Sequence, residues 1–363
     1  MKKVVLSFII SVLIIFCYSL PCNALNDSSS ILKELDGETK EYLSALGIDS
    51  ESGDGIENVS LKSVITFLIS LVTDRSKRIS LIIISVIAVI IVSSVMGSFL
   101  EGNSSAKKIL NFVSVLCIVT AIIVPLKELI FNAGAVIKTA AIFTDGYISV
   151  LVSLIAASGN PKLAITYNSF AVVLSSFISE ISDKIFVPVI NMLLAFNILT
   201  SFTFENYKHK MFKSVKRLII IILSLISTVY TGLLTTQSIL AVSSDSLTVR
   251  GIRFVSGTFI PIVGAGVSES VSSVMSSLSI MRNTTGVVVI VIIVLIFLPI
   301  ILDLLIWHYA LQFCSITADM FENNDISVML DEMSSVVSLI NTVLFYVTFV
   351  LIISTGVIIV MGK

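Results

Sequence analysis

Charged and chemically reactive side chains are scarce in this chain of 363 residues. Asp, Glu, Lys and Arg make up only 13% of it, and it has two histidines, four cysteines and one tryptophan. Soluble domains carry about 25% charged residues, so this composition excludes a globule with a polar surface. Hydrophobic residues make up 56% of the chain and the mean hydropathy is +1.05. The sequence therefore predicts a polytopic membrane protein.

The scarcity of histidine and the missing motifs also exclude most enzymatic chemistry. His209 and His308 are the only histidines, so there is no HExxH zinc motif and little basis for a Ser-His-Asp triad. No GxxxxGK[ST] motif is present, which predicts that the chain does not itself hydrolyse ATP. We predict that the protein is not an enzyme and has no catalytic residues, metal site or cofactor. A net charge of -1 without an extended basic patch predicts no nucleic-acid partner.

The N-terminus has the features of a secretory signal peptide over residues 1–24. Lys2 and Lys3 precede an apolar run over residues 4–20, and small residues lie before a cleavage point after Ala24. An uncleaved membrane anchor is the alternative. The proline before Cys22 disfavours a lipid-modified cysteine. Residues 25–78 then form a short acidic extracytoplasmic segment, which ends in an apolar stretch at 61–73 that is too short to span and favours an interfacial helix.

Eight apolar runs follow, each about long enough to cross a hydrocarbon core of about 30 Å. They lie at 79–99, 109–125, 139–157, 163–178, 185–204, 218–242, 287–306 and 336–361. The fold class that we predict is all-α, a transmembrane bundle of about eight spans with one broken or re-entrant segment. Membrane helices occupy residues 79–242 and 285–363, and a less apolar central segment at 243–284 separates them.

Positive charge predicts the orientation. The loop at 205–217 holds the densest cluster of Lys and Arg, which places it in the cytoplasm. Counting spans backward also places Lys107 and Lys108 inside, although Arg75 and its basic neighbours then flank the first span on the outer side. The acidic loop at 319–332 is cytoplasmic if the central segment re-enters and outside if it crosses. The positive-inside rule slightly favours crossing.

The central segment is where we look for function, because it concentrates glycine, serine and proline in a chain otherwise rich in Leu, Ile and Val. Glycine permits close backbone approach and proline interrupts a helix. Such a segment in a membrane either lines a wet conduit or packs against other helices through its small residues. The candidate residues are Arg253, Ser256, Gly257, Phe259, Pro261, Gly264, Gly266, Ser268 and Glu269.

Two acidic residues stand out among the ionisable groups near the predicted spans. Glu269 follows the glycine-rich turn, and Asp303 lies four residues after Pro299 inside an apolar run. Ionisable groups inside a membrane are costly and mark pathways or partner contacts. Asp303 is therefore a candidate intramembrane functional acid.

The run from Arg253 to Ser268, Arg-Phe-Val-Ser-Gly-Thr-Phe-Ile-Pro-Ile-Val-Gly-Ala-Gly-Val-Ser, resembles the stage III sporulation protein AE family of endospore-forming bacteria. The family pattern has a basic residue, an aromatic and serine run, Phe-Ile-Pro and then paired glycines followed by serine. Here Ala265 separates Gly264 from Gly266, which keeps the small-residue character. The distinctive part covers some thirty residues; elsewhere the match is in length and hydropathy plan.

The resemblance implies a multi-pass protein in the mother-cell-derived outer forespore membrane, needed for late forespore development. It would be a subunit of a channel or transport complex that links mother cell and forespore, beside a separate ATPase and extracytoplasmic ring proteins. Two functions stay open within that complex. The chain either contributes its central segment to a conduit or is a membrane scaffold that assembles and anchors the complex.

Overall fold

The computed structural model describes residues 61–100, 104–201, 208–259 and 264–361, together with Gly37, Lys40, Glu41 and Ser44. For residues 246–259 and 264–272 only the backbone is described. The predicted signal peptide lies outside these residues, as does the acidic segment before residue 61 apart from Gly37, Lys40, Glu41 and Ser44. The described chain is helical between its turns and contains no strand. Its elements are α1 Leu61–Phe99, α2 Ser104–Ala157, α3 Pro161–Ile181, a π-helical turn Ser182–Phe186, α4 Val187–Ser201, α5 Lys208–Phe259, α6 Gly264–Met320 and α7 Asn324–Met361.

The core of the bundle is the antiparallel pair α6 and α7. About two thirds of the most apolar part of α6 is buried, and the figure for α7 is 61%. A tight turn joins them, in which Glu322 has a φ of 59° and the Asn323 amide donates to the Ala318 carbonyl at 2.9 Å. The apolar side chains that face inward from this pair are the centre on which α1, α2 and α5 pack.

Helix α2 joins two of the predicted spans. The runs at 109–125 and 139–157 lie on one helix of 54 residues, with Pro125 inside it. Proline is tolerated in membrane helices because neighbouring groups satisfy the freed carbonyl. The connecting residues are also apolar at helical spacing, and the buried ones are Leu126, Leu129, Ile130, Ala133 and Ile137. Packing of that stripe keeps the helix continuous where the sequence predicted a reversal.

The next two predicted spans are joined in the same way. Helices α3 and α4 follow one another through the π-helical turn Ser182–Phe186, two residues before Pro188. Proline has no amide hydrogen for the helical ladder, and a π-helical turn is a local adjustment that accommodates this loss. Likewise, the predicted interfacial stretch 61–73 and the first predicted span form the single helix α1.

Six segments of the described chain are long and apolar enough to cross a membrane: 75–99, 105–157, 161–199, 214–245, 273–320 and 324–357. The all-α membrane-type fold class is confirmed. The sequence has eight apolar runs but the structure has six such segments, because two pairs of runs are joined. The runs at 109–125 and 139–157 share α2, and the runs at 163–178 and 185–204 share the α3–α4 segment.

The helices alternate in direction, so their turns gather at two ends of the bundle. At one end, Lys107 and Lys108 line a crevice of about 340 Å³ together with Glu322 and Asp325. The Asn111 side-chain amide donates to an Asp325 carboxylate oxygen there at 2.6 Å. The acidic loop 319–332 therefore lies at the same end as Lys107 and Lys108. This contradicts the slightly favoured arrangement that placed it on the opposite side.

Candidate functional site

The turn between α2 and α3 lies at the other end of the bundle and is built by helix-capping rules. Gly159 has a φ of 92°, the left-handed conformation that commonly ends a helix and that glycine adopts without strain. The Asn160 carbonyl accepts the Ala164 amide at 3.0 Å, which makes Asn160 the N-cap of α3 and Pro161 its first residue. The next amides of α3 still need acceptors.

Asp245 on α5 supplies those acceptors from a different part of the chain. The Lys162 amide donates to its Oδ1 at 3.1 Å and the Leu163 amide donates to its Oδ2 at 2.9 Å. The Asp245 side chain is buried. A carboxylate at a helix N-terminus satisfies two amides and opposes the positive end of the helix dipole. The Lys162 ammonium also donates to the Ser244 hydroxyl.

Arg282 on α6 also contacts this turn, and it is fully buried. Its guanidinium donates to Ser158 Oγ at 3.3 Å, Ser279 Oγ at 3.1 Å and Asn283 Oδ1 at 3.4 Å. Ser158 follows the last residue of α2, so the arginine lies at the negative end of that helix. We call Asp245, Arg282 and the turn 158–163 the polar clasp.

The polar clasp fixes where the central segment leaves and rejoins the bundle. Helix α5 contacts the clasp at Asp245, and helix α6 contacts it at Arg282. Residues 246–281 lie between these two contacts, so this segment leaves and rejoins the bundle at the same end. We call residues 246–281 the central excursion. Its backbone is helical at 246–259 and at 264–281. At 1.5 Å per residue, these 14 and 18 residues rise about 21 and 27 Å beyond the clasp.

The predicted site residues divide between the two helical parts of the central excursion. Those on the last turns of α5 are Arg253, Ser256, Gly257 and Phe259, and those on the first turns of α6 are Gly264, Gly266, Ser268 and Glu269. Pro261 lies outside the described residues, as do the side chains of the other eight. The segment is thus shared by two helices, with one boundary at Phe259 and the next at Gly264.

Asp303 is not part of this arrangement. It lies on α6 34 residues beyond Glu269, a helical rise of about 51 Å. There its carboxylate forms an ion pair with the guanidinium of Arg75 on α1. The side chains of Arg75 and Asp303 are 28% and 17% exposed, so the pair is largely shielded. The structure gives Asp303 a charged partner between two helices.

Aliphatic and aromatic side chains form most of the interior of the described bundle, and buried polar side chains such as Thr144, Asn197, Glu332 and Asn341 lie among them. The buried cluster runs from Ile79 on α1 to Leu351 on α7 and includes Phe143, Phe297 and Trp307. Among the described residues, no group of three His, Cys, Asp or Glu side chains could hold a metal ion. The polar side chains of the clasp hold helix ends together, and their contacts are hydrogen bonds within the chain.

Asp245 and Arg282 were absent from the sequence-based candidates. Asp245 ends a long apolar run and Arg282 precedes one, and an isolated charge in such a place is the signal that could have drawn attention to them. Their partners in the turn between α2 and α3 lie 82 and 124 residues away in sequence, so no local pattern reveals that they bind this turn.

Comparison with known proteins gives one family. The family model for Stage III sporulation protein AE matches residues 46–362. The Stage III sporulation protein AE of Bacillus subtilis (strain 168) is 24% identical over 228 residues, which are 62% of this chain and 56% of that protein. The aligned part thus spans a little over half the length of this relative. No solved structure matches the chain.

Proposed function

Because the chain belongs to the stage III sporulation protein AE family, we propose that it is a membrane subunit of the channel or transport apparatus between mother cell and forespore. In this proposal it resides in the mother-cell-derived outer forespore membrane after an N-terminal signal peptide has directed its insertion. It is needed for late forespore development. A separate ATPase and extracytoplasmic ring proteins are its partners.

The central excursion is the part that we assign to partner contact. Residues 246–259 and 264–281 continue past the polar clasp as helix. The basic residues at 208–217 and Lys107 and Lys108 belong to the opposite end of the bundle, which the positive-inside rule assigns to the cytoplasm. The excursion then extends on the extracytoplasmic side, where ring-forming subunits would be reached. Its serines and glycines allow close helix packing.

Within the complex we favour a scaffold over a conduit through a single copy. The observation that supports this choice is the buried apolar cluster that packs the described helices against one another from Ile79 to Leu351, whereas a conduit needs a continuous polar lining. A polar solute or ion crossing a membrane needs such a lining. A conduit would then form between several subunits, and this chain would position them through the excursion.

Substitutions in the excursion test the proposal in a sporulating bacterium that carries this chain in place of its own stage III sporulation protein AE. We expect Gly264→Leu to reduce co-purification of the other subunits and, with it, a late forespore reporter, because the larger side chain prevents close packing. Gly232→Leu on α5 is the matched control, since a Cβ at Gly232 meets nothing within 4 Å.

Glu269→Gln separates the two functions. A scaffold tolerates loss of this charge, or loses assembly and reporter signal together. Loss of the reporter with the complex intact would support a charge-lined conduit instead. Normal assembly and reporter signal in both Gly264→Leu and Gly266→Leu would contradict a role for the excursion in either function.

A further inference from the structure

A crevice of about 480 Å³ opens on the side of the bundle between α3, α5 and α7. Its walls are almost entirely aliphatic and aromatic; the lining includes Phe170, Phe177, Leu223, Leu233, Tyr346 and Val350. The polar side chains in the lining are Ser227, Tyr230 and Tyr346. The Tyr230 hydroxyl is already paired with the Ser354 hydroxyl at 3.1 Å. Water has few partners in such a space, so an apolar occupant fits it better.

The crevice is accessible from outside the bundle. Leu225 and Leu233, which line it, are 63% and 51% exposed. Both residues lie inside the membrane-length segment 214–245 of α5, so the opening faces the hydrocarbon region of a bilayer. The surrounding lipid tails therefore have direct access to this apolar space.

A cationic site lies below the crevice on the same side of α5. Lys216, Leu223 and Tyr230 recur every seven residues, which is close to two helical turns, so they share one helix face. Lys216 lies about 10 Å below Leu223. The half-buried Lys216 ammonium donates to the Ser338 hydroxyl on α7 at 3.3 Å. The carboxylate of Asp331, also on α7, attracts this ammonium electrostatically. Arg217 is exposed beside it.

Lys216 and Arg217 lie in the first turn of the segment 214–245, at the level where a membrane helix meets the lipid headgroups. Basic residues at this level attract anionic lipids, and guanidinium and ammonium groups donate to phosphate oxygens. The apolar crevice fits the acyl chain of a phospholipid, and the basic residues below the crevice fit its phosphate.

We infer that the crevice between α3, α5 and α7 binds one acyl chain of an anionic phospholipid whose phosphate lies against Lys216 and Arg217. The lipid fills the crevice beside α5. Protein buries only 6% of the most apolar part of this helix. It completes the packing of this helix against the bundle, independently of any role in sporulation.

Native mass spectrometry of the purified full-length protein tests the inference with phosphatidylglycerol and phosphatidylcholine of identical acyl chains. We expect the wild type to retain one phosphatidylglycerol with a preference of about tenfold or more over phosphatidylcholine, since two basic residues near the lipid surface favour the anionic headgroup. Lys216→Gln with Arg217→Gln should abolish the preference. Lys107→Gln with Lys108→Gln, which removes equal charge at the same end away from the crevice, should keep it.

The crevice itself is tested by Ser227→Phe, with Ser224→Phe as the matched control. Ser227 lines the crevice, whereas Ser224 is exposed on the same helix and does not line it. We expect only Ser227→Phe to lose the retained lipid. Retention of the lipid by Ser227→Phe, or equal retention of both lipids by the wild type, would overturn the inference. So would a photoreactive residue at Leu233 that cross-links in membranes to protein and not to lipid.

Discussion

Arg75 on α1 and Asp303 on α6 form an ion pair across 228 positions of sequence. Each was difficult to interpret from the sequence. Arg75 opposed the orientation predicted from the larger basic loop, and Asp303 was an acid inside an apolar run. A charge that is neutralised by a partner between helices carries less weight for orientation and costs less to bury. The pair also ties the first described helix to the core helix.

Breaking this pair should destabilise the bundle. We expect Asp303→Asn to lower the free energy of unfolding by about 2 kcal/mol, between the values typical of exposed and buried pairs, because Arg75 keeps its charge in a largely shielded place. Arg75→Gln should cost a similar amount, and the double variant should cost less than the sum. Thermal unfolding of the purified protein in detergent measures all three.

The matched control for the ion pair is Glu180 with Lys184 on the surface. These side chains are 2.9 Å apart but 69% and 71% exposed, and solvent screens pairs of this kind so that they contribute little to stability. Glu180→Gln should therefore leave the unfolding temperature almost unchanged. Strictly additive effects at Arg75 and Asp303 would show that the two residues are not energetically coupled.

Gly286 on α6 lies directly against the side chain of Ile359 on α7. A Cβ built there would lie 2.6 Å from the Cδ1 and Cγ1 atoms of Ile359. We expect Gly286→Ala to cost about 1 to 3 kcal/mol of stability through overpacking, even though alanine favours helix. Gly356→Ala on α7 is the control, since a Cβ there meets nothing within 4 Å and should be neutral or stabilising. Equal melting temperatures for the two variants would refute the close packing at Gly286.

Removing the carboxylate of Asp245 should loosen the polar clasp. Asp245→Ala leaves the amides of Lys162 and Leu163 without the acceptor that α5 provides, and loss of an N-cap costs about 0.5 to 2 kcal/mol. We expect faster hydrogen exchange at the first turn of α3, measured by mass spectrometry. Ser243→Ala is the control, because the Ser243 hydroxyl donates to its own helix at the Ile239 carbonyl. Unchanged exchange at the start of α3 in Asp245→Ala would contradict the capping role.

The all-α membrane fold could be predicted from composition and apolar runs, whereas the turns between helices could not be placed reliably. The sequence predicted separate spans at 109–125 and 139–157, yet the buried stripe from Leu126 to Ile137 has helical spacing and holds α2 together. Asp245 and Arg282 gained their roles from a turn far away in sequence. Contacts at such separations depend on packing that no local pattern records.

The arrangement of the turns predicts which positions are accessible from each side of the membrane. Ser105 and Asn324 are exposed beside the turns at one end of the bundle, and Ser273 is exposed near the clasp at the other end. With the natural cysteines replaced, we expect single cysteines at Ser105 and Asn324 to react only with reagent that enters the cytoplasm. A cysteine at Ser273 should react with impermeant reagent applied to intact cells that carry the protein in their cell membrane. Because Asn111 and Asp325 are hydrogen-bonded, Ser105 and Asn324 cannot lie on opposite sides. Labelling of these two positions from different sides would therefore contradict the arrangement of the helices. Labelling of both positions from outside would reverse only the orientation and would place the central excursion in the cytoplasm.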